Sequence, residues 1–439
     1  MKPETSKPSP HIDLNPAFKR ALEAMENGGR SIFITGRAGT GKSTLLEYFR
    51  GITGKKVAVL APTGVAALNV HGQTIHSFFG FKPDITLDKV KKRRPTTLPS
   101  IFQQLDAVII DEVSMVRADL LDCVDKFLRL NGPSVGEPFG GLQMIFIGDL
   151  YQLPPVINNT ERGSYDEHYR TPYFYGARVF NEFDMDFIEL EKVYRQQDEK
   201  FVRLLNAVRD NSADEEDLES LNRRYKPDFE PAPGDFYIYL TTTNAMARQI
   251  NDAELAKLDS ESFVFNAEVS GKFGNEYIPN APELQVKVGA QIMLLNNDSA
   301  GRWVNGSIGR VTAIIPRANE TAIQAELDEG LLVEIKPFIW NIYRFFADEG
   351  GLQSEVLGSF KQYPLMPAWA VTIHKSQGKT FDKVIIDMGR GAFACGQTYV
   401  ALSRCTTLEG IVLKTPILKR HILMDESIED YMGPLTSSI

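Results

Sequence analysis

Two short stretches hold residues whose types and spacing can do chemistry. The first is "GRAGTGKST", Gly36 to Thr44, which fits G-x-x-x-x-G-K-[ST] between the apolar run "SIFIT" and the helical "LLEYFR". Gly36, Gly39 and Gly41 free the backbone to wrap phosphate, with Ala38, Thr40, Lys42, Ser43 and Thr44 lining the same loop. Lys42 would reach the β- and γ-phosphates, and the Ser43 hydroxyl would ligate Mg²⁺. The second stretch is "AVIIDEVSM", residues 107–115, in which an apolar run ends in Asp111-Glu112. Asp111 would hold the cation, while Glu112 would orient and deprotonate an attacking water. Together they imply hydrolysis of a nucleoside triphosphate with Mg²⁺.

A third stretch, "GDLYQLPPV" at 148–156, follows the apolar run Gln143 to Ile147. Its strand is expected in the same sheet as Asp111-Glu112. That places Asp149 and Gln152 beside the γ-phosphate, with Gln152 as a sensor of the phosphate or the attacking water.

These groups need rigid elements to position them. Apolar runs at 31–35, 56–63, 107–111, 142–149 and 185–190 alternate with helical stretches, which predicts an α/β fold with a parallel sheet covered on both faces. A second set at 235–244, 368–374, 383–388 and 410–414 predicts another such domain. Residues 266–362 differ, with alternating patterns and the turn signal Asn305-Gly306. They read as a small antiparallel β module, a barrel, inserted in the second domain. Boundaries are expected at 1–11 for a flexible tail, 12–184 for the first domain with an excursion near 72–100, and 185–265 plus 363–439 for the second.

Bulk composition excludes little. The chain has 439 residues, 43% hydrophobic and 24% charged, too long for one core. Cys123, Cys395 and Cys405 form no CxxC pair, which suits a reducing cytoplasm and argues against a disulfide framework or structural zinc. No apolar run reaches the ~20 residues that span a bilayer. Net charge is −9, yet "KVKKRRP" at 89–95 is strongly basic. Local charge decides nucleic-acid binding more than the sum does.

In order along the chain stand "APTGVAA" (61–67), "TIHSFFG" (74–80), "IIDEVSMV", "GDLYQLPPV", "VYRQ" (193–196), "AWAVTIHKSQGKTF" (368–381) and "TYVALSRC" (398–405). This succession resembles superfamily 1 helicases, and its wording is most similar to the Pif (petite integration frequency) family of 5′-to-3′ DNA helicases. The resemblance spans residues 12–425. It implies two RecA-like P-loop domains, an inserted SH3-like subdomain, and an ATP-dependent motor on single-stranded DNA. Forks or structured DNA such as G-quadruplexes would be unwound, in replication, repair or recombination, by a monomer.

The same resemblance assigns further roles. Arg195 and Arg404 would neutralise charge on the γ-phosphate, and Gly378 would bring a backbone N–H near it. DNA contacts would come from Pro62, Thr63, His76, Thr243, Asn244, His374, Lys375 and Ser376. Residues 81–100, with five cations within 89–94, would lie near the fork. Trp303 and Trp340 read as core residues. Where such helicases often carry an adenine-reading glutamine, this chain has Phe18 or Lys19. An RNA translocase or a non-motor DNA-stimulated ATPase is the alternative.

Overall fold

The structure, a computed structural model, describes residues 13–93, 100–157, 159–196, 198–232, 234–317, 320–348, 351–389 and 391–436. The expected tail at 1–11 lies outside the described residues, as does Arg94.

Strands β1 (Ser31–Gly36), β2 (Val57–Ala61), β3 (Gln73–Thr74), β4 (Ala107–Ile110), β5 (Gln143–Ile147) and β6 (Met185–Leu190) form one parallel sheet in the order β3-β2-β4-β5-β1-β6. Strands β1, β4 and β5 are buried along their whole length, as near-continuous apolar runs should be in a sheet covered on both faces. One face packs with helix Ala118–Asn131 around Phe33, Phe146 and Phe174; the other packs with helices Pro16–Asn27 and Lys42–Ile52 around Ile32, Ile34 and Phe49.

Two boundaries differ from expectation. Strand β6 belongs to the first sheet, pairing with β1 from Ser31↔Met185 to Gly36↔Leu190. The closing helix Glu426–Thr436 also returns to the first core, where Ile428 and Met432 are buried and Tyr431 stacks on Tyr175 at 4.1 Å. The apolar run 185–190 follows the first set of strands in the sequence and joins their sheet, so there only the boundary after 184 is displaced. Nothing local in 426–436 marks that helix for the first core.

The second sheet is smaller. Strand β7 (Ile238–Thr241) pairs in parallel with two later strands, in an arrangement completed after the insert. The insert itself holds β8 (Ser262–Asn266), β9 (Glu268–Gly271), β10 (Glu283–Lys287), β11 (Gln291–Leu294), β12 (Ile308–Ile315), β13 (Ala322–Leu327), β14 (Leu332–Ile335), β15 (Phe338–Asp348), β16 (Gly351–Gln362) and β17 (Leu365–Pro367). Then β18 (Ala370–Thr372), β19 (Val384–Asp387) and β20 (Ile411–Leu413) complete the parallel order β18-β7-β19-β20.

Among the described residues, the insert does not join its strands into one closed barrel. Its strands pair as β14-β13-β12-β11-β17, β15-β16-β9 and β10-β8, all antiparallel. Asn305-Gly306 is not a two-residue hairpin either: it lies within the longer 295–307 connection between β11 and β12. Trp303 and Trp340 are buried core residues.

Candidate active site

The chemistry-bearing residues gather at the carboxyl ends of the parallel strands, where open α/β sheets place ligands. The P-loop follows β1, Asp111 follows β4, and Asp149 follows β5, the strand between them. Gly41 caps helix Lys42–Ile52 in the left-handed region at φ +87°, and Gly39 sits at φ +81°. A Cβ on Gly39 would stand 2.5 Å from the Cβ of Arg195, so glycine is needed for close approach as well as for its dihedral. Ser43 and Thr44 are exposed at the helix start, and Lys42 Nζ donates to the carbonyls of Gly36 (2.6 Å) and Arg37 (3.0 Å).

Three carboxylates face this lysine. Burial, with Glu112 alongside, pushes the Asp111 carboxyl up to about 7. Burial also raises Glu112, against the pull of Lys42 and Arg404. Glu112 adopts the left-handed conformation at φ +50°, ψ +43°. A non-glycine residue there costs on the order of 1–3 kcal/mol, a strain typical of functional positions. Burial works against charge on Asp149, but Arg209 and Lys42 outweigh it and hold that carboxyl below its usual range. Lys42 itself is pushed down by burial, while Asp149, Glu112 and Asp111 draw it back up.

Among the described residues, no group of three or more His, Cys, Asp and Glu could hold a metal. Exposed Ser43 and buried Asp111 offer hard oxygen donors, which fits Mg²⁺, a cation that keeps water and substrate phosphates among its ligands.

The second sheet reaches into the same place. The Tyr399 hydroxyl accepts the Ala38 N–H at 2.9 Å and contacts Asp149 Oδ2 at 3.4 Å. Gln152 is buried and donates to the same Oδ2 at 3.2 Å. Arg209, ending helix Glu199–Arg209, donates to Asp149 Oδ1 at 3.1 Å. The "VYRQ" segment runs between the two sheets: Tyr194 N–H donates to Gly39 O at 2.8 Å, Arg195 Nη1 to Ser403 O at 3.1 Å, and Gln196 Nε2 to Cys405 O at 2.9 Å.

Arg404 is 1% exposed. Its guanidinium donates to the carbonyls of Val400 (3.0 Å), Ser376 (3.3 Å) and Lys379 (3.2 Å) and to Ser403 Oγ (2.8 Å). Burial and Arg195 push its pKa down to about 9, which leaves it charged at neutral pH.

Residues 13–219 match the family described as PIF1-like helicase. A relative from Bdellovibrio bacteriovorus named ATP-dependent DNA helicase Pif1 is 32% identical over 417 residues, covering 92% of this chain and 89% of its own. The chain belongs to the PIF1-like helicase family. It is also 32% identical to the Emericella nidulans protein named ATP-dependent DNA helicase PIF1, of which it spans only 61%. A Bacteroides Pif1 solved with ADP-AlF4 superposes at a TM-score of 0.88, with 34% identity and 98% of each chain covered. The Bacteroides Pif1 bound to single-stranded DNA superposes at 0.69, with 35% identity and again 98% of each chain. Those likenesses make the two parallel sheets RecA-like domains of a PIF1-like helicase.

Within this family frame the residues expected at DNA fall into three groups. Thr63 and Thr243 are exposed N-caps that follow β2 and β7 by the same two-residue spacing, each accepting a backbone N–H from the third residue on. With half-buried Pro62 and exposed Asn244 they occupy equivalent places in the two domains. His76 and His374 are half-buried, with pKa values lowered by burial, and Lys375 is exposed. Ser376 is a correction: it is fully buried and its hydroxyl donates to Ile373 O at 2.8 Å, so it shapes the turn and offers no surface to a strand.

The basic run is also less free than its composition implies. Arg93 lies 4.8 Å over the Phe102 ring and 5.5 Å from that of Phe127, while Lys89 pairs with Asp84 at 2.5 Å. All four described cations of the run, Lys89, Lys91, Lys92 and Arg93, stay exposed. Gly378 is exposed at φ +73°. At the expected adenine position Phe18 is buried in the core and Lys19 is exposed.

Sequence reasoning passed over Arg209 and Tyr399. Tyr399 lies in the quoted "TYVALSRC" block, one helical turn before Ser403, and could have been found there. Arg209 looks like any basic residue at a helix C-terminus.

Proposed function

We propose that this chain is an ATP-dependent DNA helicase that hydrolyses ATP in the cleft between its two parallel sheets. It would translocate 5′ to 3′ on single-stranded DNA and separate forked or structured duplexes. The observation that carries the reading is the meeting of both domains on the P-loop, where Tyr399 contacts Ala38 and the Arg195 segment joins Gly39 to Ser403. A nucleotide switch confined to one domain needs no such convergence.

The residues divide the work. Lys42 and the P-loop amides hold the substrate's phosphates, and Glu112 takes the proton of the attacking water as its oxygen bonds phosphorus and ADP departs. Its raised pKa makes it a stronger base than a free carboxylate. Gln152, held by Asp149, orients that water. Mg²⁺ held with Ser43 and Asp111 would neutralise the phosphate charge that builds as the bond breaks. Arg404 from the second domain and Arg195 from the segment between the two sheets supply positive charge once the cleft closes; here the Arg404 guanidinium is engaged with backbone carbonyls of its own domain. Cleft closing and opening would then move Thr63 and Thr243 alternately along the strand.

Direction, unwinding of G-quadruplexes and action as a monomer follow the family, a cytoplasmic site follows the three cysteines without a CxxC pair, and all belong to this proposal. The test is steady-state ATP turnover with and without a single-stranded oligonucleotide, for the wild type and Arg404→Ala. Strong stimulation that Arg404→Ala removes supports a motor. DNA-independent turnover that survives the substitution contradicts it.

A further inference from the structure

Asn305 links parts of the molecule that sequence separates widely. Its amide Nδ2 donates to Asn69 Oδ1 at 2.9 Å, and its Oδ1 accepts from Lys379 Nζ at 2.5 Å. The orientation is forced. An ammonium only donates, so the amide oxygen must face Lys379, and the NH₂ is thereby turned toward Asn69. The Asn305 backbone N–H is fixed in turn by Asn297 Oδ1 at 2.8 Å.

Each end of this bridge leads to a functional group. Asn69 ends helix Gly64–Asn69, whose N-cap is Thr63. That helix is seated on the insert at its other end too: a Cβ on Gly64 would fall 1.9 Å from Glu276 O. Ala61 and Ala67 share a buried cluster with Phe273, Tyr277 and Trp340 of the insert. At the other end, the Lys379 carbonyl accepts from Arg404 Nη1 at 3.2 Å, and its methylenes would lie 3.5 Å from a Cβ placed on Gly306. A helix held at both ends by the insert cannot shift without moving Asn305 or breaking its bond.

We propose that Asn305 is a positioning residue that couples the Thr63 helix to Arg404, so that strand engagement is transmitted through the inserted β module to the nucleotide site. The inference rests on the motor reading above, and adds to it the route by which DNA stimulates turnover. Direct contact between the two RecA-like domains is one link; the insert supplies a second.

The test is ATP turnover by Asn305→Ala, Asn305→Asp and Asn69→Ala across a titration of single-stranded oligonucleotide. Asn305→Asp retains an acceptor for Lys379 but loses the donor to Asn69. All three variants should keep the wild-type rate without DNA and the wild-type half-saturating oligonucleotide concentration. The DNA-saturated rate should fall roughly 5-fold or more, the lower range of allosteric couplings. Should Asn305→Ala fail to fold, Asn69→Ala breaks the same bond from an exposed position. A saturated rate equal to wild type in Asn69→Ala and Asn305→Asp would overturn the inference. So would an equal loss of basal and saturated rates, which marks a purely structural role. A wild-type enzyme indifferent to DNA would overturn the motor reading itself, and the inference with it.

Discussion

Arg209 and Asp149 form an ion pair between the two domains, Nη2 to Oδ1 at 3.1 Å, with side chains 10% and 0% exposed. The guanidinium also lies 3.9 Å over the ring of Tyr151. Because Gln152 is held by the other oxygen of Asp149, the pair sets the sensor's position from the second domain.

Removing one partner of a buried pair strands the other charge. Arg209→Met should therefore destabilise the protein by about 3–5 kcal/mol, read by urea unfolding. The double variant Arg209→Met/Asp149→Asn should recover much of that loss, since no charge is left buried. Equal loss in both would show that packing of the arginine, not its charge, is what matters.

Gln152→Ala leaves the P-loop and both P-loop neighbours intact. Nucleotide binding, followed by a fluorescent ATP analogue, should stay within about twofold of wild type. The DNA-stimulated rate should fall by 10²-fold or more, the range for a group that orients the reacting water. Full stimulation in this variant would remove Gln152 from the mechanism.

Thr63 and Thr243 each cap a helix, so Thr63→Ala and Thr243→Ala should each cost about 1 kcal/mol of stability. Thr63→Ser and Thr243→Ser retain the cap and should restore it. If these helix starts hold DNA phosphates, the alanine variants should also weaken oligonucleotide binding, measured by anisotropy, and Ser376→Ala should not. Weakening by Ser376→Ala alone would reverse the assignment.

Lys379 gives a pH signature. Burial pushes its ammonium down to about 8, whereas an unfolded chain keeps a lysine near 10.4. Between those values the unfolded state binds more protons, so this group's contribution to stability rises with pH and its cost is fully present below 8. Lys379→Met removes the titration. Its melting temperature relative to wild type should be most favourable near pH 7 and decline steadily toward pH 10. A difference that is flat with pH would contradict a depressed lysine at this position.

Much of the site is legible in the sequence because its residues sit next to strands that announce themselves. "SIFIT" before Gly36 and "AVII" before Asp111 fix where these groups emerge, and the fully buried strands β1, β4 and β5 deliver them to one edge. What stays hidden depends on contacts between distant segments. Helix Glu426–Thr436 closes over Phe33 and Tyr175 of the first core, although nothing local in it carries a sign of that destination. Arg93 looks like one of a row of cations and is held by two phenyl rings. Ser376 follows His374 and Lys375 in a promising block, yet the turn after β18 rotates it inward.

Strand displacement on partial duplexes tailed on only one strand tests the account most directly. With ATP and Mg²⁺, the wild type should displace the strand from a substrate with a 5′ single-stranded tail and leave the 3′-tailed substrate paired. Lys42→Ala and Arg404→Ala should displace neither while still binding the tail. Displacement without ATP, displacement by Lys42→Ala, or preference for the 3′ tail would contradict the account.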